Sequence, residues 1–167
     1  MYELLDLPDY EPEVSGAIEL GRARGTVELN DVHFGYCENN PVLHGISIKA
    51  DRGSVIALVG PSGGGKTTII GLIQRFYDPW SGTITIDGID IRDITIASLR
   101  RQISFVSQDT FLFSGTVREN VALGSPDATD AEVIAAVEAA NASDFVAQLP
   151  KQLDTAVGEN GATLSGG

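Results

Sequence analysis

The chain is 167 residues long, 43% hydrophobic and 20% charged, enough for one domain with a sizeable core and too apolar for a disordered tail. Its formal net charge of −12, from 11 basic and 23 acidic residues, repels nucleic-acid backbones and gives no electrostatic attraction to anionic lipid. No apolar run approaches the ~20 residues of a membrane-spanning helix, and a single cysteine, Cys37, excludes an internal disulfide.

Residues 1–25 are rich in Glu, Asp, Pro and Gly, show no sustained period and read as a linker. "TVELNDVHFGY" then alternates as a strand, with Val27 and Leu29 on one face, and "GISIKA" places Ile46 and Ile48 together in the same way. Two later runs are almost wholly apolar, "SVIALVG" (Ser54–Gly60) and "ISFVS" (Ile103–Ser107). Continuous runs of that length predict strands covered on both faces, as in a parallel sheet.

The first of these runs leads into glycines and then "KTTIIGLIQRFY", where Ile69, Ile70, Ile73 and Phe76 recur at helical spacing. After the turn signal "DPWSG", the stretch "GTITIDGIDI" reads as a hairpin about Asp87-Gly88. Further on, "TDAEVIAAVEAAN" predicts a helix with a capping box at Thr129 and Glu132 and an apolar stripe of Val133, Ile134 and Val137. A shorter helix is expected over Asp144–Leu149, ended by Pro150. Asp87 and Asp90 read as turn residues, and His33 and His44 as structural, since neither histidine has a ligand set around it.

One stretch carries chemistry. "GPSGGGKTT", Gly60 to Thr68, fits G-x-x-x-x-G-K-[ST] through Gly60, Gly65, Lys66 and Thr67. In the loop that runs from Gly60 through Pro61 and Ser62, the glycines Gly63, Gly64 and Gly65 permit backbone conformations in which successive N–H groups point into one concavity. The following helix aims the positive end of its dipole at the same place. Lys66 brings a full charge to the terminal phosphates, and the Thr67 hydroxyl is suited to Mg²⁺, with Thr68 beside it. A chance match in a chain of this length has odds on the order of one in a hundred. The required strand before it and helix after it reduce those odds further. The expectation is a nucleoside-triphosphate site.

With its neighbours, this loop resembles the nucleotide-binding domains of ATP-binding cassette (ABC) transporters, from about Gly25 to the last residue. "VHFGY" puts Tyr36 where that family stacks an aromatic ring on adenine, and "FVSQDTFLFSGTVRENV" looks like the Q-loop region, with Gln108 as the residue that touches Mg²⁺ and couples to the membrane domain. "TAVGENGATLSGG" is similar to the loop and signature of exporters, with Leu164, Ser165, Gly166 and Gly167 beginning the LSGGQ motif that binds the nucleotide of a partner subunit.

The resemblance implies an α/β P-loop NTPase with a RecA-like parallel core, an N-terminal antiparallel β subdomain and part of an α-helical subdomain, the C-terminal part of the core being absent. It divides the chain into a linker, 1–25, from an upstream transmembrane domain and a partial cassette, 26–167. It also implies ATP and Mg²⁺ as ligands, Lys66 and Gln108 in the catalytic apparatus, a head-to-tail dimer of cassettes, and a place at the cytoplasmic face of a membrane. The exposed apolar run Phe111, Leu112 and Phe113 would meet the membrane partner or belong to the core. The family's hydrolytic aspartate, glutamate and histidine would lie beyond Gly167. No residue here is therefore nominated as the general base, and the isolated chain is expected to be marginally stable and without turnover. The alternative function is a nucleotide-binding module that does not hydrolyse; a nucleotide kinase is disfavoured by the motif order.

Overall fold

The computed structural model describes residues 16–107 and 111–158. The chain falls into two compact units, Met1–Phe105 and Val106–Gly167.

The first unit is built on a four-stranded antiparallel sheet. Its strands are β1 (Val27–Phe34), β2 (Leu43–Ala50), β3 (Ser81–Ile86) and β4 (Ile89–Asp90), in the order β2-β1-β3-β4. Simple alternation along β1 would put Leu29, Asp31 and His33 on one face. Instead Leu29, Val32 and Phe34 are all buried, because the register slips between Asn30 and His33. Asp31 adopts φ 47 there, and the extra residue of this bulge returns Val32 to the core face. The opposing backbone is close: a Cβ on Gly82, itself at φ 86, would lie 2.4 Å from the Asp31 carbonyl oxygen. The hairpin between β3 and β4 turns through Asp87 and Gly88 at φ 51 and 84, the left-handed pair of a type I′ turn that the sequence announces.

Helix α1 (Lys66–Ile73) packs Ile69 and Leu72 on this sheet, in a core with Leu29, Val32, Phe34, Leu43, Ile84 and Leu99. It is shorter than its apolar spacing predicts. Arg75 turns left-handed at φ 53, its N–H donates to the Leu72 carbonyl at 3.0 Å and that of Phe76 to the Gly71 carbonyl at 2.9 Å. This is a Schellman ending with arginine where glycine is usual. Arg75 is only 6% exposed. Its guanidinium donates to the carbonyls of Ile91 (3.3 Å) and Ile94 (3.0 Å) and pairs with Asp78. Arg100 in turn donates to the carbonyls of Gln74 and Arg75 at 3.1 and 2.9 Å and lies over the Phe76 ring. The tertiary hydrogen bonds of two arginines stop the helix, and Phe76 is left off it, half exposed.

A short helix absent from the sequence expectations, α2 (Ile96–Arg100), starts at Thr95, whose side chain caps the Ser98 N–H. Residues 18–26 are pinned alongside. Ile18 forms a parallel bridge with Ile94, the Leu20 N–H donates to the buried Ser98 hydroxyl at 2.9 Å, and the N–H groups of Arg24, Gly25 and Thr26 all donate to the Asp87 carboxylate. Those hydrogen bonds, that from Thr26 foremost, hold the Asp87 carboxyl below its ordinary pKa. Asp90 is likewise lowered. Burial pushes it up, but the side-chain and backbone bonds from Arg92 outweigh that.

Both apolar runs expected as parallel strands lack a ladder. Neither 54–60 nor 103–107 belongs to a strand of the two sheets among the described residues, and Val55, Val59 and Val106 are 94%, 90% and 88% exposed. A strand exists only through a neighbour that takes up its N–H and C=O groups. Leu58 and the half-exposed Ile56 line an open apolar pocket of about 180 Å³ with Leu29, Ile48 and Ile73.

The second unit is helical. A two-stranded ladder joins β5 (Gly115–Thr116) to β6 (Ala156–Val157), and α3 (Val117–Val121), α4 (Asp130–Ala139) and α5 (Ser143–Gln148) lie between these strands in sequence. Reciprocal capping boxes start α3 at Thr116/Glu119 and α4 at Thr129/Glu132. The bonds from Thr129 keep the Glu132 carboxyl below its ordinary pKa. Val133 and Val137 are buried as expected, whereas Ile134 is 48% exposed; the buried stripe is narrower than the sequence suggests. α4 ends in a second Schellman arrangement about Asn141 at φ 56. Arg118 ties the unit together, reaching Asp130 and Asp154.

Two outcomes are expected. Arg75→Ala, which strands two buried carbonyls, destabilises the chain by about 2–3 kcal/mol in urea denaturation. Arg75→Gly recovers about 1 kcal/mol of this by relieving the left-handed strain. Asp87→Asn lowers the melting temperature at pH 7. Because the folded carboxyl is held below its unfolded value, its contribution is present above the ordinary carboxylate range and fades as pH falls below about 4. The melting gap between parent and variant should therefore close on acidification.

Candidate functional site

The glycine loop enters α1 through backbone that other residues avoid. Gly63 and Gly65 are at φ 79 and 78, and the Gly64 N–H closes a turn on the Pro61 carbonyl at 3.2 Å. Gly65 is the residue that caps α1; it offers no side-chain hydrogen bond, and no acidic residue stands in the first turn. The positive end of the helix dipole is thus neither capped nor neutralised by a side chain there, as an anion site requires.

Lys66 closes the loop on itself. Its Nζ donates to the carbonyls of Gly60 at 2.9 Å and Pro61 at 2.7 Å, so a full positive charge is held where the loop turns into the helix. Ser62 is exposed beside it. The two threonines divide: Thr67 is exposed, while Thr68 is 5% exposed and its Oγ1 lies 3.0 Å from the Tyr36 hydroxyl. Together these groups suit a phosphate chain with a hard cation. The loop presents a cation and a free helix start, and the Thr67 hydroxyl is a hard oxygen donor.

Tyr36 follows β1 and is 56% exposed. Its ring meets Phe34 at 5.2 Å and Tyr77 at 5.3 Å between centroids, both nearly perpendicular. Phe34 also touches Trp80 at 6.2 Å. The structure therefore brings Tyr36 to the loop Gly60–Thr68. This aromatic group and the Tyr36–Thr68 bond are features that sequence reasoning missed. The spacing of Phe34 and Tyr36 along one strand face was the available signal; Tyr77 closed the expected helical run and Trp80 stood in the turn signal.

The histidines read as structural do not gather ligands. His33 lies 3.3 Å from Asp31 and opposite His44 across β1 and β2. Among the described residues no group of three or more His, Cys, Asp or Glu is placed to hold a metal. Gln108 and the stretch Leu164, Ser165, Gly166 and Gly167 lie outside the described residues. In the second unit Phe111 and Phe113 form an exposed edge-to-face pair at 5.0 Å. Asn120 braces the segment, accepting from the Phe113 N–H at 2.8 Å and donating to the carbonyls of Phe113 and Thr116.

The model of the ABC transporter family matches residues 43–167. This chain belongs to that family. It is 47% identical over its full length to an ABC transporter ATP-binding protein of uncharacterized role, y4gM of Sinorhizobium fredii, and covers 28% of that protein. It is equally similar to an ATP-dependent lipid A-core flippase of Syntrophus aciditrophicus, again over 28% of the relative. Among solved structures, a bacterial Atm1-family ABC exporter with ATP bound matches 99% of the chain at TM-score 0.90 and 45% identity, over 29% of the exporter's length. The chain thus spans less than a third of these relatives. The likeness establishes the P-loop ABC fold, within which this chain's segments 54–60 and 103–107 form no ladder among the described residues.

Proposed function

We propose that the chain is the MgATP-binding cassette of an ABC exporter and that, in the full-length protein, binding and hydrolysis of ATP drive export across a membrane. The observation that carries this reading is Lys66 held on the loop's own carbonyls, beside a helix start with no side-chain cap. A triphosphate would draw Nζ from the Gly60 and Pro61 carbonyls to its terminal oxygens and accept from N–H groups of the loop. Charge-assisted bonds of this kind are about twice as strong as the neutral ones they replace. Thr67 would ligand Mg²⁺, which when bound neutralises and orients the phosphates. The half-exposed Tyr36 ring offers a stacking face for the base, and stacking without a hydrogen-bonded edge contact distinguishes bases poorly.

The remaining roles rest on the family resemblance. Gln108 is assigned to Mg²⁺ and to coupling, Leu164–Gly167 to the nucleotide of a second cassette, and residues 1–25 to the connection with a transmembrane domain. The exposed Phe111–Phe113 pair suits contact with that domain, since apolar rings in water mark docking surfaces. On this reading the cassette works at the cytoplasmic face of the membrane. No described helix is long and apolar enough to cross one, and the net charge of −12 argues against a nucleic-acid partner.

Lys66→Ala should weaken ATP binding roughly 10–100-fold in isothermal titration calorimetry with the fold retained by circular dichroism; unchanged affinity refutes the assignment. Tyr36→Ala should weaken ATP and GTP to a similar extent. A loss confined to adenine nucleotides would show that hydrogen bonding, not stacking, holds the base.

A further inference from the structure

Tyr36 and Thr68 are 32 residues apart, yet their hydroxyls lie 3.0 Å from each other. The two ends of this bond differ. Tyr36 is more than half exposed, whereas Thr68 is buried in the first turn of α1, one residue past the exposed Thr67. The tyrosine ring is therefore held at three points: by its hydroxyl on Thr68 and by near-perpendicular contacts with Phe34 and Tyr77. A tyrosine side chain has few torsions, and a tether at its far end together with ring contacts beside it leaves little rotational freedom. More than half of the tyrosine nevertheless remains accessible.

We infer that Thr68 is a positioning residue for the base platform: its hydroxyl holds the Tyr36 ring in the orientation on which a nucleobase stacks. Base recognition is thereby tied to the helix start that receives the phosphates. The inference deepens the ATP-site reading and rests on it. A ring ordered before ligand arrives loses less freedom on binding. Removing the tether therefore weakens stacking even when the ring is kept. One neutral hydrogen bond corresponds to about a three- to tenfold change in affinity.

The experiment is a double-mutant cycle on the chain with Mg²⁺, titrated by calorimetry with ATP and with inorganic tripolyphosphate, which has no base. Tyr36→Phe and Thr68→Val each weaken ATP by about three- to tenfold, and the double variant is no worse than the weaker single variant. Thr68→Ser, which keeps the hydroxyl, restores affinity to within about twofold of the parent. Tripolyphosphate responds less than ATP to every one of these changes. Additive losses, or a loss for tripolyphosphate equal to that for ATP in Thr68→Val, overturn the inference, the latter because Thr68 would then act on the phosphates directly.

A ligand-free readout separates this result from the fate of the site assignment. The Tyr36 ¹³Cζ resonance, assigned by its absence in Tyr36→Phe, moves in Thr68→Val and returns in Thr68→Ser. A resonance indifferent to Thr68 removes the tether whatever ATP does. Conversely, ATP affinity indifferent to Lys66→Ala removes the phosphate-site reading, even where the Tyr36 resonance follows Thr68.

Discussion

A Cβ on Gly65 would lie 2.6 Å from a methyl of Leu43, and Gly65 is also left-handed at φ 78; only glycine meets both conditions. Through this contact the start of α1 lies against β2, Ile69 and Leu72 reach the sheet, and the helix dipole opens toward the loop. The same contact leaves no room for a capping side chain, so the feature that lets the helix pack also leaves its N-terminus for an anion. Lys66, the next residue, is then delivered to the carbonyls of Gly60 and Pro61. Packing and ligand chemistry meet at one residue.

The far end of α1 is governed by the opposite means. There the chain turns at Arg75, where a left-handed arginine costs strain that glycine would avoid. The guanidinium offsets that strain by satisfying the buried carbonyls of Ile91 and Ile94, while Arg100 covers those of Gln74 and Arg75. Buried backbone acceptors need partners; Arg100 supplies them to the end of α1 and Arg75 to the stretch after β4. Asp87 does the converse at the sheet edge, collecting three N–H groups from residues 24–26. The first unit is thus held by an apolar sheet–helix core with a few charged side chains serving orphaned backbone around its rim.

Local features were legible in the sequence. The Asp87-Gly88 turn, the Thr129/Glu132 capping box, the helix stop at Pro150 and the glycine loop depend on residues within a few positions of one another, and each forms where its pattern lies. The bulge at Asp31, the early end of α1 and the short α2 were not legible, because each is decided by backbone or side chains distant in sequence. Ile134 followed the helical period yet remains half exposed, since period describes a face and not what covers it. The runs 54–60 and 103–107 show the same limit: apolar content predicts a buried strand, but a ladder needs a partner.

The sequence by itself determined the family, the phosphate loop and most local elements, for those rest on short-range chemistry: glycine conformations, caps, turns and the order of motifs. Tertiary structure alone decided that Thr68 turns inward while Thr67 faces out, and that the Tyr36 hydroxyl meets Thr68 across 32 positions. Those outcomes depend on which strand lies beside which helix. No local pattern of residues carries that information, because it arises when the bulged sheet and α1 bury their apolar faces against each other.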